Sequence, residues 1–136
     1  MGGRNLKNFL KYEEGVKGIW KGQISGKVNK STGFQDIYFF NTTRGGNLTL
    51  YYRADANSKT DNPDAYISIL FNGKIVNEDI DPSQGNSTNR CAFNPGEHSI
   101  IIRACSKIKE NKMGDKSSET YKFQISISEL LADSLK

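Results

Sequence analysis

From about residue 18 to residue 127 the chain alternates apolar and polar positions with a period of two, the signature of half-buried strands. Asn47 to Ala54 sets Leu48, Leu50 and Tyr52 against Thr49, Tyr51 and Arg53. Ala65 to Phe71 places Ala65, Ile67, Ile69 and Phe71 on one face and Tyr66, Ser68 and Leu70 on the other. Phe71-Asn72-Gly73-Lys74 predicts a tight turn, because Asn-Gly tolerates positive φ at both central positions, and Lys74-Ile75-Val76 starts the return strand. Glu97 to Cys105 turns His98, Ile100, Ile102 and Ala104 inward. Thr120 to Ile127 has the cleanest pattern, with Tyr121, Phe123, Ile125 and Ile127 inward and Lys122, Gln124 and Ser126 outward. Asp36 to Asn41 is aromatic enough for both of its faces to be buried. Trp20 to Val28 reads as a weaker strand, where Gly22 and Gly26 predict a bulge or close packing.

These segments predict seven or eight short strands with little helix, hence an all-β fold: an antiparallel β-sandwich, jelly-roll-like, over residues 18–127. No crossover helices separate the strands, which disfavours parallel pairing. Residues 1–17 form a preceding segment with a short N-terminal helix carried by Leu6, Phe9 and Leu10 and stopped at Gly15. Residues 128–136 form a C-terminal tail of one helical turn or frayed chain. Asn57–Asp64, Asp79–Arg90 and Ser106–Glu119 read as surface loops, and Asn94-Pro95-Gly96-Glu97 as a hairpin turn.

A length of 136 residues, with 35% hydrophobic and 25% charged, fits one domain with its own core. No apolar run approaches the ~20 residues that span a bilayer, so a membrane role is not expected. No basic-then-apolar leader opens the chain, as a trimmed secreted domain would equally show. The net charge is +4, with the excess concentrated in residues 1–30 and 103–116. Those lysines are too scattered, and too little interleaved with aromatics, to predict a nucleic-acid partner. The 103–116 segment could instead steer an acidic partner.

Candidate chemistry is thin. Cys91 and Cys105 are the only cysteines. In a hairpin turning at residues 94–97, Cys91 would face about Ile100, too far from Cys105 for a disulfide, so two free thiols are expected. His98 is the only histidine. A Cys91–His98 pair on the two arms of that hairpin is conceivable, but a buried hairpin offers no electropositive cleft to activate a thiol. No GxSxG, HExxH, phosphate-loop or dinucleotide pattern occurs. The sequence therefore predicts no enzyme and no catalytic residues. Asp55, Asp61 and Asp64, with Asn57 and Asn62 between them, gather the oxygens that calcium uses, though not at EF-hand spacing. They are the candidate metal ligands, and calcium is the one cofactor left open. Sequons stand at Asn29, Asn41, Asn47 and Asn86. On a regular strand, adjacent Tyr51 and Tyr52 cannot both face the core. Thr49, Tyr51 and Arg53 then form an exposed polar-aromatic strip, the candidate ligand-binding site.

The order of motifs adds a resemblance. Ile24-Ser25-Gly26-Lys27-Val28 leads to Asp36-Ile37-Tyr38-Phe39-Phe40, then Gly45-Gly46-Asn47-Leu48-Thr49-Leu50. Ile67-Ser68-Ile69, Asn72-Gly73-Lys74-Ile75-Val76, Pro95-Gly96-Glu97 and Tyr121-Lys122-Phe123-Gln124-Ile125 follow. Over residues 18–127 this resembles the bacterial pre-peptidase C-terminal (PPC) domain. The resemblance implies a jelly-roll-like, non-catalytic module of secreted peptidases and other extracellular or cell-surface proteins. Relatives in clostridial collagenases bind collagen through surface tyrosines and use calcium, which maps a ligand face onto strand 48–54 and implies a protein or glycan partner. Gly18-Ile19-Trp20-Lys21-Gly22, Pro95-Gly96-Glu97 and Glu119-Thr120-Tyr121-Lys122-Phe123 are also similar to the calpain-type β-sandwich. That family would act in the cytoplasm, on a protease or an anionic membrane. Asn29-Lys30-Ser31-Thr32-Gly33-Phe34 has a fainter likeness to one loop of the chagasin-type protease inhibitors.

Overall fold

The computed structural model describes residues 3–13, 18–28, 35–53, 65–81, 86–108 and 119–136. Among these, ten strands build two five-stranded sheets. In chain order they are β1 (Arg4–Asn5), β2 (Leu10–Tyr12), β3 (Ile19–Val28), β4 (Gln35–Thr42), β5 (Gly46–Arg53), β6 (Ala65–Phe71), β7 (Lys74–Ile80), β8 (Asn86–Phe93), β9 (Gly96–Ile108) and β10 (Glu119–Ser128). The first sheet has the order β1-β4-β9-β6-β7 and the second β2-β3-β10-β5-β8. Every pairing is antiparallel except the two-residue contact of β1 with β4. The fold is an all-β sandwich.

Period-two alternation becomes two apolar layers face to face. Tyr38, Phe40, Ile100 and Ile102 of the first sheet meet Ile24, Leu48, Leu50, Phe123 and Ile127 of the second, each at most 1% exposed. Burying a side chain of this size contributes about 1.5–3 kcal/mol, so the alternation in these strands supplies a large apolar driving force for the fold. The Asn-Gly turn forms as the sequence predicts, with φ of 51° at Asn72 and 83° at Gly73.

Several sequence expectations are corrected. The N-terminal helix is a single 3-10 turn, Leu6–Phe9, capped by the Asn5 side chain accepting from the Lys7 N–H at 3.0 Å. Leu6 and Leu10 are buried in the core, so tertiary packing holds this short turn where helix propensity does not. Residues 94–97 are not a hairpin turn: β8 lies in the second sheet and β9 in the first, so the chain crosses between layers there. Cys91 stands opposite Leu48, while Ile100 stands opposite Tyr38 and Phe71. The Asp79–Arg90 loop shrinks, because β7 runs to Ile80 and β8 begins at Asn86. Strand β4 buries one face only; Phe39 is 45% exposed. The C-terminal residues neither form a helix nor fray: Leu130 and Leu135 are buried and Leu135 bridges to Thr42.

Candidate functional site

Strand register assembles the outward face of the second sheet. Across β2, β3, β10, β5 and β8 one row runs Lys11, Lys21, Ser126, Thr49, Arg90. The next row, two residues along, runs Gln23, Gln124, Tyr51, Thr88. Ser25 and Lys122 pair in the third row, which Arg53 opposite Asn86 extends. Lys27 and Thr120 follow. A shallow groove of about 540 Å³ is lined by Lys21, Gln23, Thr49, Tyr51, Gln124 and Ser126. A second, of about 430 Å³, is lined by Ser25, Lys27, Arg53, Thr120, Tyr121 and Lys122 among others.

The predicted strip is therefore placed on one face but divided between two grooves: Thr49 and Tyr51 in the first, Arg53 in the second. Gln23, Gln124, Lys21 and Arg90 were not foreseen as partners of Tyr51. Alternation marks such residues as outward, but nothing local says that β10 lies between β3 and β5. The candidate metal ligands Asp55, Asp61 and Asp64 lie outside the described residues, as do 109–116 of the basic segment and the sequon at Asn29.

Charge on this face is one-sided. Its five strands contain six cations, Lys11, Lys21, Lys27, Arg53, Arg90 and Lys122, all exposed. Glu119 is the single carboxylate in their sequence, with its Cα registered opposite Val28. Among the described residues, two acids sit at the end of the face near Lys21 and Asn47. Glu13 pairs with Lys21 at 3.0 Å, and Glu129 accepts from Asn47 Nδ2 at 3.0 Å. Lys11, Lys27, Arg53, Arg90 and Lys122 form no ion pair among the described residues.

Two polar clusters elsewhere have a structural explanation. Ser99 N–H donates to Asn72 Oδ1 at 2.8 Å, which orients the carboxamide. Asn72 Nδ2 then donates to His98 Nδ1 at 3.0 Å, so the His98 proton resides on Nε2 and is donated to the Asn94 carbonyl at 2.7 Å. With both nitrogens committed and its ring against Phe40, Phe71 and Phe93, His98 locks the turn onto β9. Cys91 packs against the core, and burial pushes its thiol up, the opposite of what a nucleophile needs. Between the sheets, Tyr38 donates to Tyr121 at 2.6 Å and Tyr121 to Asp36 Oδ2 at 2.7 Å. Arg4 closes the chain, 3.4 Å from Asp36 Oδ1 and stacked 5.2 Å from the Tyr38 ring centroid. Burial raises both phenols above the ordinary tyrosine range; the hydrogen bond to Tyr38 and then that to Asp36 push Tyr121 up further, whereas Tyr38's own bond to Tyr121 partly offsets its rise. Neither phenol is a base near neutral pH.

No protein-family model and no curated protein matches the chain. The PPC and calpain-type resemblances thus rest on their motifs alone. A solved structure described as the native family 35 carbohydrate binding module from Clostridium thermocellum aligns at 13% identity. The alignment covers 86% of this chain and 85% of that one, with a TM-score of 0.35.

Proposed function

We propose that this chain is a non-catalytic binding module that recognises a glycan or protein partner with the outward face of its second sheet, as an accessory domain of a secreted or cell-surface protein. The observation that carries this reading is the register that sets Tyr51 among Gln23, Gln124, Thr49 and Thr88 on an open face. Amides and hydroxyls supply donors and acceptors, and the tyrosine supplies an apolar ring with a polar tip. The strands are rigid supports, so these groups are preorganised and little entropy is lost on binding. His98, with both ring nitrogens satisfied, supports the non-catalytic part.

A screen of the protein against immobilised polysaccharides and extracellular proteins tests the reading. Tyr51→Ala is expected to reduce capture at least tenfold while leaving the melting temperature within 2 °C, roughly the effect of a surface substitution. Capture unaffected by Tyr51→Ala and Gln124→Ala together would reject this face. Calcium, through Asp55, Asp61 and Asp64, belongs to the proposal as its cofactor. Millimolar calcium then raises the melting temperature by mass action, and an unmoved transition removes calcium from it.

A further inference from the structure

We infer that the ligand of this face is an anionic polysaccharide, bearing carboxylate or sulfate groups, laid across the strands along the Gln23–Gln124–Tyr51–Thr88 row. The inference rests on the binding-module reading above and supplies its ligand class.

The row is a neutral lane with cations on both sides. Adjacent strands lie about 4.8 Å apart, so four side chains span about 14 Å. Rows two residues apart along a strand are about 7 Å distant. On one side stand Lys11, Lys21 and Arg90, and on the other Lys122 and Arg53, with Lys27 beyond. An extended chain in the lane would place its own oxyanions within reach of either flank. The lane itself meets hydroxyl-rich backbone with two carboxamides, a threonine hydroxyl and one phenol.

The alternatives fit less well. A membrane-inserting face needs several large apolar side chains, and a protein interface an apolar centre; the outward rows here carry one isoleucine, Ile19, at the end of the Ser128–Asn47–Ala92 row, and polar residues at their centre. Single-stranded nucleic acid is gripped by successive aromatic platforms, and this face has one tyrosine. Among the described residues, the acids Glu13 and Glu129 sit at the end of the face near Lys21 and Asn47. A Debye length near 10 Å at 0.1 M salt lets the flanking rows act on the lane together and weakens them at higher salt.

The test titrates the full chain with polygalacturonate, heparin and fully methyl-esterified polygalacturonan, with duplex DNA and phosphatidylserine vesicles alongside. Binding to polygalacturonate or heparin, at least tenfold tighter than to the ester and weakened by added salt, is the expected result. Which of the two binds separates carboxylate from sulfate recognition. Lys122→Gln with Arg53→Gln should cost at least tenfold without moving the melting temperature. Lys74→Gln, on the opposite sheet, should cost nothing. Equal affinity for the neutral ester would overturn the inference and leave the binding-module reading standing. DNA or vesicles bound as tightly as either polysaccharide would overturn it in favour of a general polyanion surface. Failure of every polysaccharide, charged or neutral, would overturn it too; if the Tyr51 and Gln124 variants are then also silent in the wider screen, the module reading falls with it.

Discussion

Tyr121 is 3% exposed, and its hydroxyl is held between Tyr38 and the Asp36 carboxylate. Desolvation is the first cause that raises its pKa, followed by its hydrogen bonds to Tyr38 and Asp36. The unfolded chain releases this proton near pH 10, where the folded chain still holds it. Stability is therefore unaffected below that value and falls as pH rises through it, by up to about 1.4 kcal/mol per pH unit for each such phenol. Urea melts between pH 8 and pH 11 should show this decline, and Tyr121→Phe should flatten it. At neutral pH the same variant leaves the Tyr38 hydroxyl and Asp36 Oδ2 without their partner, at a cost of about 1–3 kcal/mol. Asp36, Tyr38 and Tyr121 were each visible as strand residues; their union was not, because Tyr38 and Tyr121 are 83 positions apart.

Among elements, β3 and β8 are instructive. Gly22 was expected to mark a bulge or a close approach, and it is a close approach: a Cβ there would overlap the Phe9 carbonyl oxygen and crowd Leu10. The obstacle is backbone and cannot swing away. Gly22→Ala is expected to destabilise by about 1–3 kcal/mol and to loosen the N-terminal turn. Thermal unfolding and limited proteolysis within residues 3–13 would show both; an unchanged melting temperature would mean that the turn docks differently. Strand β8 had escaped notice because Asn86-Ser87-Thr88-Asn89-Arg90 has the composition of a loop. Its inward Asn89 is 6% exposed, yet satisfied. It donates to the Leu50 carbonyl at 3.2 Å and Ser87 Oγ at 2.9 Å and accepts from Asn77 Nδ2 at 3.0 Å. A polar residue with complete partners can occupy a core strand, and propensity alone reads it as a turn.

On the scale of the molecule, the chain changes sheet at almost every connection; only β2–β3 and β6–β7 pair as successive strands. Most pairings thus join distant segments, whose loop closure precedes any reward from contact. Refolding is expected on a scale of roughly milliseconds to seconds, and stopped-flow tryptophan fluorescence of the buried Trp20 can follow it. Microsecond refolding would show that local contacts dominate. The two outward faces also diverge. The second sheet presents cations and amides, whereas Ile37, Ile101, Leu70 and Ile75 form one register row across the first. That difference follows from which strands share a sheet.

The amino-acid order alone determined the all-β class, the inward residues of β5, β9 and β10, the Asn-Gly turn and the shared side of β5 on which Thr49, Tyr51 and Arg53 stand, the first two half-buried and the last exposed. Each is a property of a few consecutive residues, since alternation and turn chemistry act over two to four positions. Only the tertiary structure decided that residues 94–97 cross between layers, that β10 is flanked by β3 and β5, and that scattered lysines and arginines share one face. Strand partnership depends on which apolar surfaces meet. Closure entropy grows too slowly with loop length to bind a strand to its neighbour in sequence, so no local pattern specifies it.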